Sequence, residues 1–254
     1  MRRWFLTGLL FLSCRFFLME AGAQIGEHRS DFAIGGSAGY VLSNVGFTPN
    51  VPQKMMPGLT AGLTARYTCE KYFSSICAIV GELNYVQMGW KEEILTPDDQ
   101  PVINLLSGEP EAYERQMTYL QVPVFARLGW GRERKGFQFF FQVGPQFGLF
   151  LNDKTTSNFD LTNYNASART SVVVAQDTMA VERKFDYGIA GGIGLEFSNP
   201  RLGHFLLEGR YYYGLGDIYG NSKRDYFARS NHSNIIVKLT YLFDISKTHN
   251  SKIK

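Results

Sequence analysis

The chain is short of the residues from which metal centres and nucleophilic active sites are built. Only four of its 254 residues are histidine and three are cysteine, and none of them falls at a spacing that reads as a zinc site or a redox motif. The sequence therefore calls for no metal and no cofactor. Charge of one sign is also scarce. Of the formal net charge of +3, the first 23 residues supply +2 through Arg2, Arg3 and Arg15 against Glu20, which leaves about +1 for the rest. With no basic run, nucleic acid is not an expected partner. Past the N-terminus there is no stretch of roughly eighteen or more apolar residues, which excludes a helical membrane protein. Yet 44% of the chain is hydrophobic, 15% is aromatic, and there are 26 glycines. The mean hydropathy is −0.16, so the hydrophobicity must be hidden in a short-period pattern.

That pattern is alternation. Residues 185–198 read FDYGIAGGIGLEFS. Phe185, Tyr187, Ile189, Gly191, Ile193, Leu195 and Phe197 share one face, and Asp186, Gly188, Ala190, Gly192, Gly194, Glu196 and Ser198 share the other. A period of two is a β-strand, and this one is long enough to cross a bilayer when tilted. The same alternation runs through residues 58–69, 119–130, 137–151, 205–215 and 235–243, and more noisily through 31–43 and 76–90. Eight strands with one greasy and one small or polar face predict an all-β, eight-stranded antiparallel up-and-down transmembrane β-barrel. A soluble lipid-binding barrel is the alternative that shares this pattern.

The two ends of the barrel differ. Connections at 70–75, 131–136 and 199–203 are short, whereas those at 44–57, 91–113, 152–182 and 219–231 are long and polar. Short periplasmic turns and long outer loops are the rule in outer-membrane barrels, and a soluble barrel has no reason to sort its loops by end. The N-terminus agrees. Basic Met1-Arg2-Arg3, an apolar stretch from Trp4 to Met19 interrupted by Arg15, and Ala21-Gly22-Ala23 before Gln24 form a signal peptide over residues 1–23. Leu12-Ser13-Cys14 offers a lipoprotein box as the weaker alternative. The barrel domain is then expected over 24–244, followed by a short polar tail at 245–254, in the cell outer membrane with lipid as its surroundings. Of the cysteines left after cleavage, Cys69 and Cys77 lie on the outward face of adjacent strands across a tight turn. Oxidising surroundings make them a candidate disulfide, the alternative being two thiols acting as small hydrophobes.

Inward parity gathers Arg66, Glu82, Arg127, Glu196, Glu208, Arg210 and Lys238. Three acids and four bases in one narrow space are expected to pair, because an unpaired buried charge is costly. With Phe140, Phe150 and Tyr212 beside them they predict a plugged lumen, since eight strands leave room for little more than side chains. A catalytic alternative, an outer-membrane hydrolase or acyltransferase, would centre on His232 near Asp225 and Ser233 at the outer rim. A solvated loop histidine is the simpler expectation there, and no catalytic residue is assigned.

Tyr119-Leu120-Gln121-Val122-Pro123, Gly144-Pro145, Gly192-Ile193-Gly194-Leu195-Glu196, Arg210-Tyr211-Tyr212-Tyr213-Gly214-Leu215 and Tyr241-Leu242-Phe243 together resemble the PorT-like outer-membrane β-barrel proteins, which are built like the small OmpA/OmpX-type barrels. Gln121 stands where that family usually has Glu, and a tail follows Phe243 where many outer-membrane barrels end. The resemblance implies a membrane-embedded barrel but supplies no activity; a monomeric, non-enzymatic barrel is the expectation. A namesake linked to secretion across the outer membrane makes envelope or secretion-system proteins the implied partners.

Overall fold

The computed structural model describes residues 27–104, 107–160, 168–170, 174–220 and 226–248. The segment expected as a signal peptide, residues 1–23, lies outside these residues, as do residues 249–254. Among the described residues nine strands are formed: β1 (Glu27–Thr48), β2 (Gln53–Lys54), β3 (Met56–Tyr72), β4 (Ser75–Glu92), β5 (Tyr113–Gly131), β6 (Gly136–Ser157), β7 (Phe185–Asn199), β8 (Gly203–Gly214) and β9 (Arg229–Ser246). Among the described residues one short helix, α1 (Ala175–Thr178), sits between β6 and β7.

Eight of these strands close on themselves. β1 pairs with β3, each later long strand pairs antiparallel with the next, and β9 returns to β1. Two-residue β2 is an appendage, laid on the long-loop end of β4 with Gln53 opposite Glu92. The closed ring leaves no long unpaired edge. Among the described residues no helix is long and apolar enough to cross a membrane. Alternation is obeyed stave by stave. Along β7 the odd-numbered side chains point out, with Ile193 and Leu195 more than half exposed, while Asp186, Ala190, Glu196 and Ser198 are buried.

Glycine matters at particular places. Gly131 and Gly136 bracket the turn between β5 and β6 with φ of +131° and +118°, a region that L side chains rarely adopt. Inside the ring, a Cβ on Gly194 would come within 2.4 Å of the Phe140 ring. Gly194 is thus what lets Phe140 lie across the lumen.

The strands run further than alternation alone predicts. β6 continues to Ser157 and β9 begins at Arg229 and ends at Ser246. Past the apolar band both faces of a stave become polar, so the ladder continues while the sequence contrast that announces it disappears. β9 thus runs to Ser246, two residues into the segment expected as the tail. The chain just beyond it is anchored: the Thr248 amide donates to Asp31 at 2.5 Å, and the Thr248 hydroxyl accepts from the Ser30 amide at 2.7 Å.

The expected Cys69–Cys77 bridge is not made. Both are free, half-buried thiols. A β-bulge between Thr68 and Glu70 sets Glu70, not Cys69, opposite Cys77, and the Cys69 Sγ donates weakly to the Tyr67 carbonyl at 3.7 Å. The extra residue of the bulge breaks the face-to-face register that the disulfide expectation assumed.

Candidate functional site

The lumen has three storeys. Nearest the short turns, Glu196 on β7 accepts from Arg66 of β3 at 2.7 and 2.8 Å and from Arg127 of β5. The Arg127 guanidinium lies 3.8 Å over the Phe140 ring, a placement that offsets part of its lost hydration. Below this group His204 on β8 bridges two acids and a hydroxyl. Its Nδ1 lies 2.7 Å from Glu196 and 2.9 Å from the Ser198 Oγ, and its Nε2 lies 2.9 Å from Asp244 on β9. The turn after β5 folds over this end. Glu133 accepts from Arg29 at 2.8 Å, and Arg134 donates to the Thr248 carbonyl at 2.6 Å.

The middle storey is a second ion cluster. Arg210 donates to both oxygens of Glu82 at 2.9 Å and to Glu208 at 2.6 Å. Lys238 donates to Glu82 at 2.6 Å, Asn84 donates to Glu82 at 2.8 Å, and Gln142 donates to Glu208 at 2.8 Å. Arg210 also lies 4.3 Å over the Phe125 ring. The alternation of inward side chains therefore brings all seven charges named from the sequence together, in two groups rather than one. Each acid has at least two donors. That is the condition under which buried charge is tolerated.

The outer storey departs from the expected polar interior. Here most inward side chains are apolar: Phe47 packs against Trp90 at 5.4 Å and Phe227 at 4.7 Å, and Met88, Met117 and Tyr113 are buried in the same cluster. An apolar inner face removes the contrast between odd and even positions, which is why residues 76–90 alternate noisily. Above this core α1 is held by the barrel wall. Tyr219 donates to the Gln176 carbonyl at 2.9 Å, Tyr113 to the Asp177 carbonyl at 3.3 Å, and Arg115 to the Met179 carbonyl at 2.6 Å. Four-residue α1 cannot satisfy its own terminal carbonyls, and these donors do so instead. The Asp177 carboxyl, buried against Glu92, is pushed up to about 9 by desolvation and by the Glu92 charge, with Arg169 opposing.

His232 corrects an expectation. It is neither solvated nor in a loop. It is an inward residue of β9, fully buried, with its Nε2 3.2 Å from the Tyr119 hydroxyl. Ser233 faces the other side of the sheet, where it shares a hydrogen bond of 2.8 Å with Tyr211, and Asp225 lies outside the described residues. The sheet itself separates His232 from Ser233. Phe140 and Tyr212 are fully buried in the lumen as expected, and Phe150 lies edge-on to Tyr119 at 5.6 Å. The reading of inward charges missed His204 and Asp244, although parity alone places both inside. It also missed the Asp177–Glu92 pair, for which the loop sequence carries no signal.

A family model described as the outer membrane protein beta-barrel domain matches residues 22–220. The chain belongs to this family. Its closed ring, apolar outside and short turns at one end are what an outer-membrane barrel requires, and the short-turn end is accordingly the periplasmic one. No curated protein matches the chain. Among solved structures it is similar to Ail, the attachment invasion locus protein of Yersinia pestis, at 12% identity and a TM-score of 0.34, covering 84% of this chain and 99% of that one. OprG of Pseudomonas aeruginosa is similar at 13% identity and a TM-score of 0.38, with 86% and 98% covered. Neisserial surface protein A is similar at 8% and 0.39, with 84% and 97% covered. At such scores these likenesses carry no argument about activity.

Proposed function

We propose that this outer-membrane barrel is a non-enzymatic, monomeric surface protein with a plugged interior, acting in envelope structure or as an accessory to secretion. The observation that carries the plugged reading is the pairing of Glu82, Glu208, Arg210 and Lys238 across the lumen, stacked on the Glu196–Arg66–Arg127 group. Ion pairs that span the bore leave side chains, not water, along the axis. The apolar outer storey supports the same reading. A non-enzymatic role is supported by the burial of His232 and by Ser233 lying on the opposite face. The PorT-like resemblance of the strand motifs favours the secretion-accessory form of the proposal. Purified barrel in planar bilayers should give no sustained porin-like conductance, and pull-down with the intact, membrane-embedded barrel should recover an envelope or secretion-system protein. Stable single-channel steps from monomeric protein would refute the plugged interior. Recovery of no envelope protein under conditions that keep the barrel folded would refute the accessory role.

A further inference from the structure

Between the middle ion cluster and the apolar outer storey lies a band of uncharged side chains with more polar atoms than partners. Asn84 on β4, Gln121 on β5, Gln146 on β6, and His232 and Asn234 on β9 are all buried, none more than 4% exposed. Asn84 touches the ion cluster, donating to Glu82 at 2.8 Å. Gln121 and Asn234 touch the apolar storey, where their amides approach the Met88 Sδ at 3.7 and 3.0 Å. A thioether is a weak acceptor, so these two donors are poorly served. Five further atoms have no hydrogen-bond partner among the described residues: Asn84 Oδ1, Asn234 Oδ1, His232 Nδ1, and both Oε1 and Nε2 of Gln146.

The neighbouring side chains do not supply those bonds. Gln146 is flanked on its own face by Gly144 and Gly148, and Pro123 and Gly188 stand opposite it on β5 and β7. Tyr212 and Ser43 stand opposite Asn234. Tyr212 donates its hydroxyl to Asp186 at 2.7 Å, and the Ser43 hydroxyl is engaged with the Gly89 amide and carbonyl at 2.8 and 3.1 Å. Arg210 and Lys238 are taken up by Glu82 and Glu208. Buried polar groups are nearly always satisfied, by protein or by ordered water. An ion in this uncharged band would lack a counter-charge, and an apolar molecule would leave the amides unserved.

We infer that the band walls an enclosed water chamber, set between the ion cluster and the apolar storey. Water both donates and accepts, as the Gln146 amide requires. A buried water makes about three hydrogen bonds, so the five unpartnered atoms and two sulfur-bound donors correspond to about two or three molecules. The closure of the chamber rests on the plugged reading; its hydration rests on the amides alone.

The test is water-edited solid-state NMR on the full-length folded barrel in lipid bilayers, which follows magnetisation passing from water protons into the protein. The reporters are the side-chain amides of Gln146 and Asn234, neither of which bonds a charged group. Asn84 is set aside, because Glu82 links it to exchangeable protons of Lys238 and Arg210. Transfer to the reporters should be more than about twofold faster than to Ile193 and Leu239 on the lipid face; a smaller ratio would overturn the inference. The double variant Gln146→Met, Asn234→Leu removes three of the five unpartnered atoms and should slow transfer to the Gln121 amide. Undiminished transfer there would also overturn the chamber, and where this variant does not fold the wild-type ratio decides alone. Conductance in planar bilayers addresses closure separately: a conducting barrel refutes the plug, whereas slow transfer to Gln146 and Asn234 refutes the chamber.

Discussion

Glu82→Gln is the perturbation that tests the lumen most directly. Glu82 is the hub of the middle storey, accepting two bonds from Arg210 at 2.9 Å, one from Lys238 at 2.6 Å and one from Asn84 at 2.8 Å. The substitution keeps the shape but turns one acceptor into an NH2 that faces cationic donors. Glu208 can replace Glu82 for Lys238 only in part, because the ammonium lies 3.9 Å from it. Two cations then share one acid, among side chains at most 4% exposed. Removing one partner of a buried pair costs about 3–5 kcal/mol, or roughly two to four powers of ten in the folding equilibrium. Urea titration in phospholipid vesicles, followed by tryptophan fluorescence and by band shift on unheated gels, measures that loss. The double variant Glu82→Gln, Lys238→Met restores neutrality, because Arg210 keeps Glu208 at 2.6 Å. It should therefore recover more than half of the lost stability. A single variant within about 1 kcal/mol of the wild type would refute the argument, since that is the median worth of an exposed pair. A double variant as weak as the sum of its parts would refute it equally.

Other outcomes follow from the same geometry. Leu239, 65% exposed on the outward face of β9, should cost about 2–4 kcal/mol as Arg in the hydrocarbon region, measured by the same titration; an unchanged midpoint would mean that this face does not meet lipid. Asp244→Asn removes the acid that His204 Nε2 meets at 2.9 Å and should lower stability by about 1–3 kcal/mol. A value near zero would show that His204 does not tie β8 to β9. Gly194→Val should block folding outright, because its side chain would occupy the Phe140 ring. A heat-modifiable band of normal yield would contradict that packing.

The part of this molecule written most plainly in its sequence is the part that lipid touches. Residues 137–151 and 185–198 alternate because bilayer lies on one side and packed polar groups on the other, and both became staves with the expected faces. The seven inward charges were legible for the same reason, since parity says which side a residue faces. Parity does not say at what height. Which acid meets which base depends on strand stagger, so the split into a Glu196 group and a Glu82 group was not readable. His232 was misplaced for a related reason: Ser230, Asn231, His232, Ser233 and Asn234 are all polar, and alternation is silent where both faces are. The seating of α1 was least legible. Gln176 and Asp177 are buried by long-range contacts with Tyr113, Arg115 and Tyr219, and no local pattern announces contacts between distant loops.

The pairing of β1 with β9 has a consequence for how this chain can be made. Phe32 faces Ser246 and Thr48 faces Arg229, so the first stave finds one of its two neighbours only when the last stave exists. Until then the sheet is an open ribbon with two raw edges, each a template for pairing with another chain. The strand that heals both edges is the last of the eight staves to be synthesised. A chain cut short before residue 229 would therefore not be a slightly smaller barrel. It would be a sheet with permanently open ends, and its expected fate is aggregation or capture by the assembly machinery, not partial function.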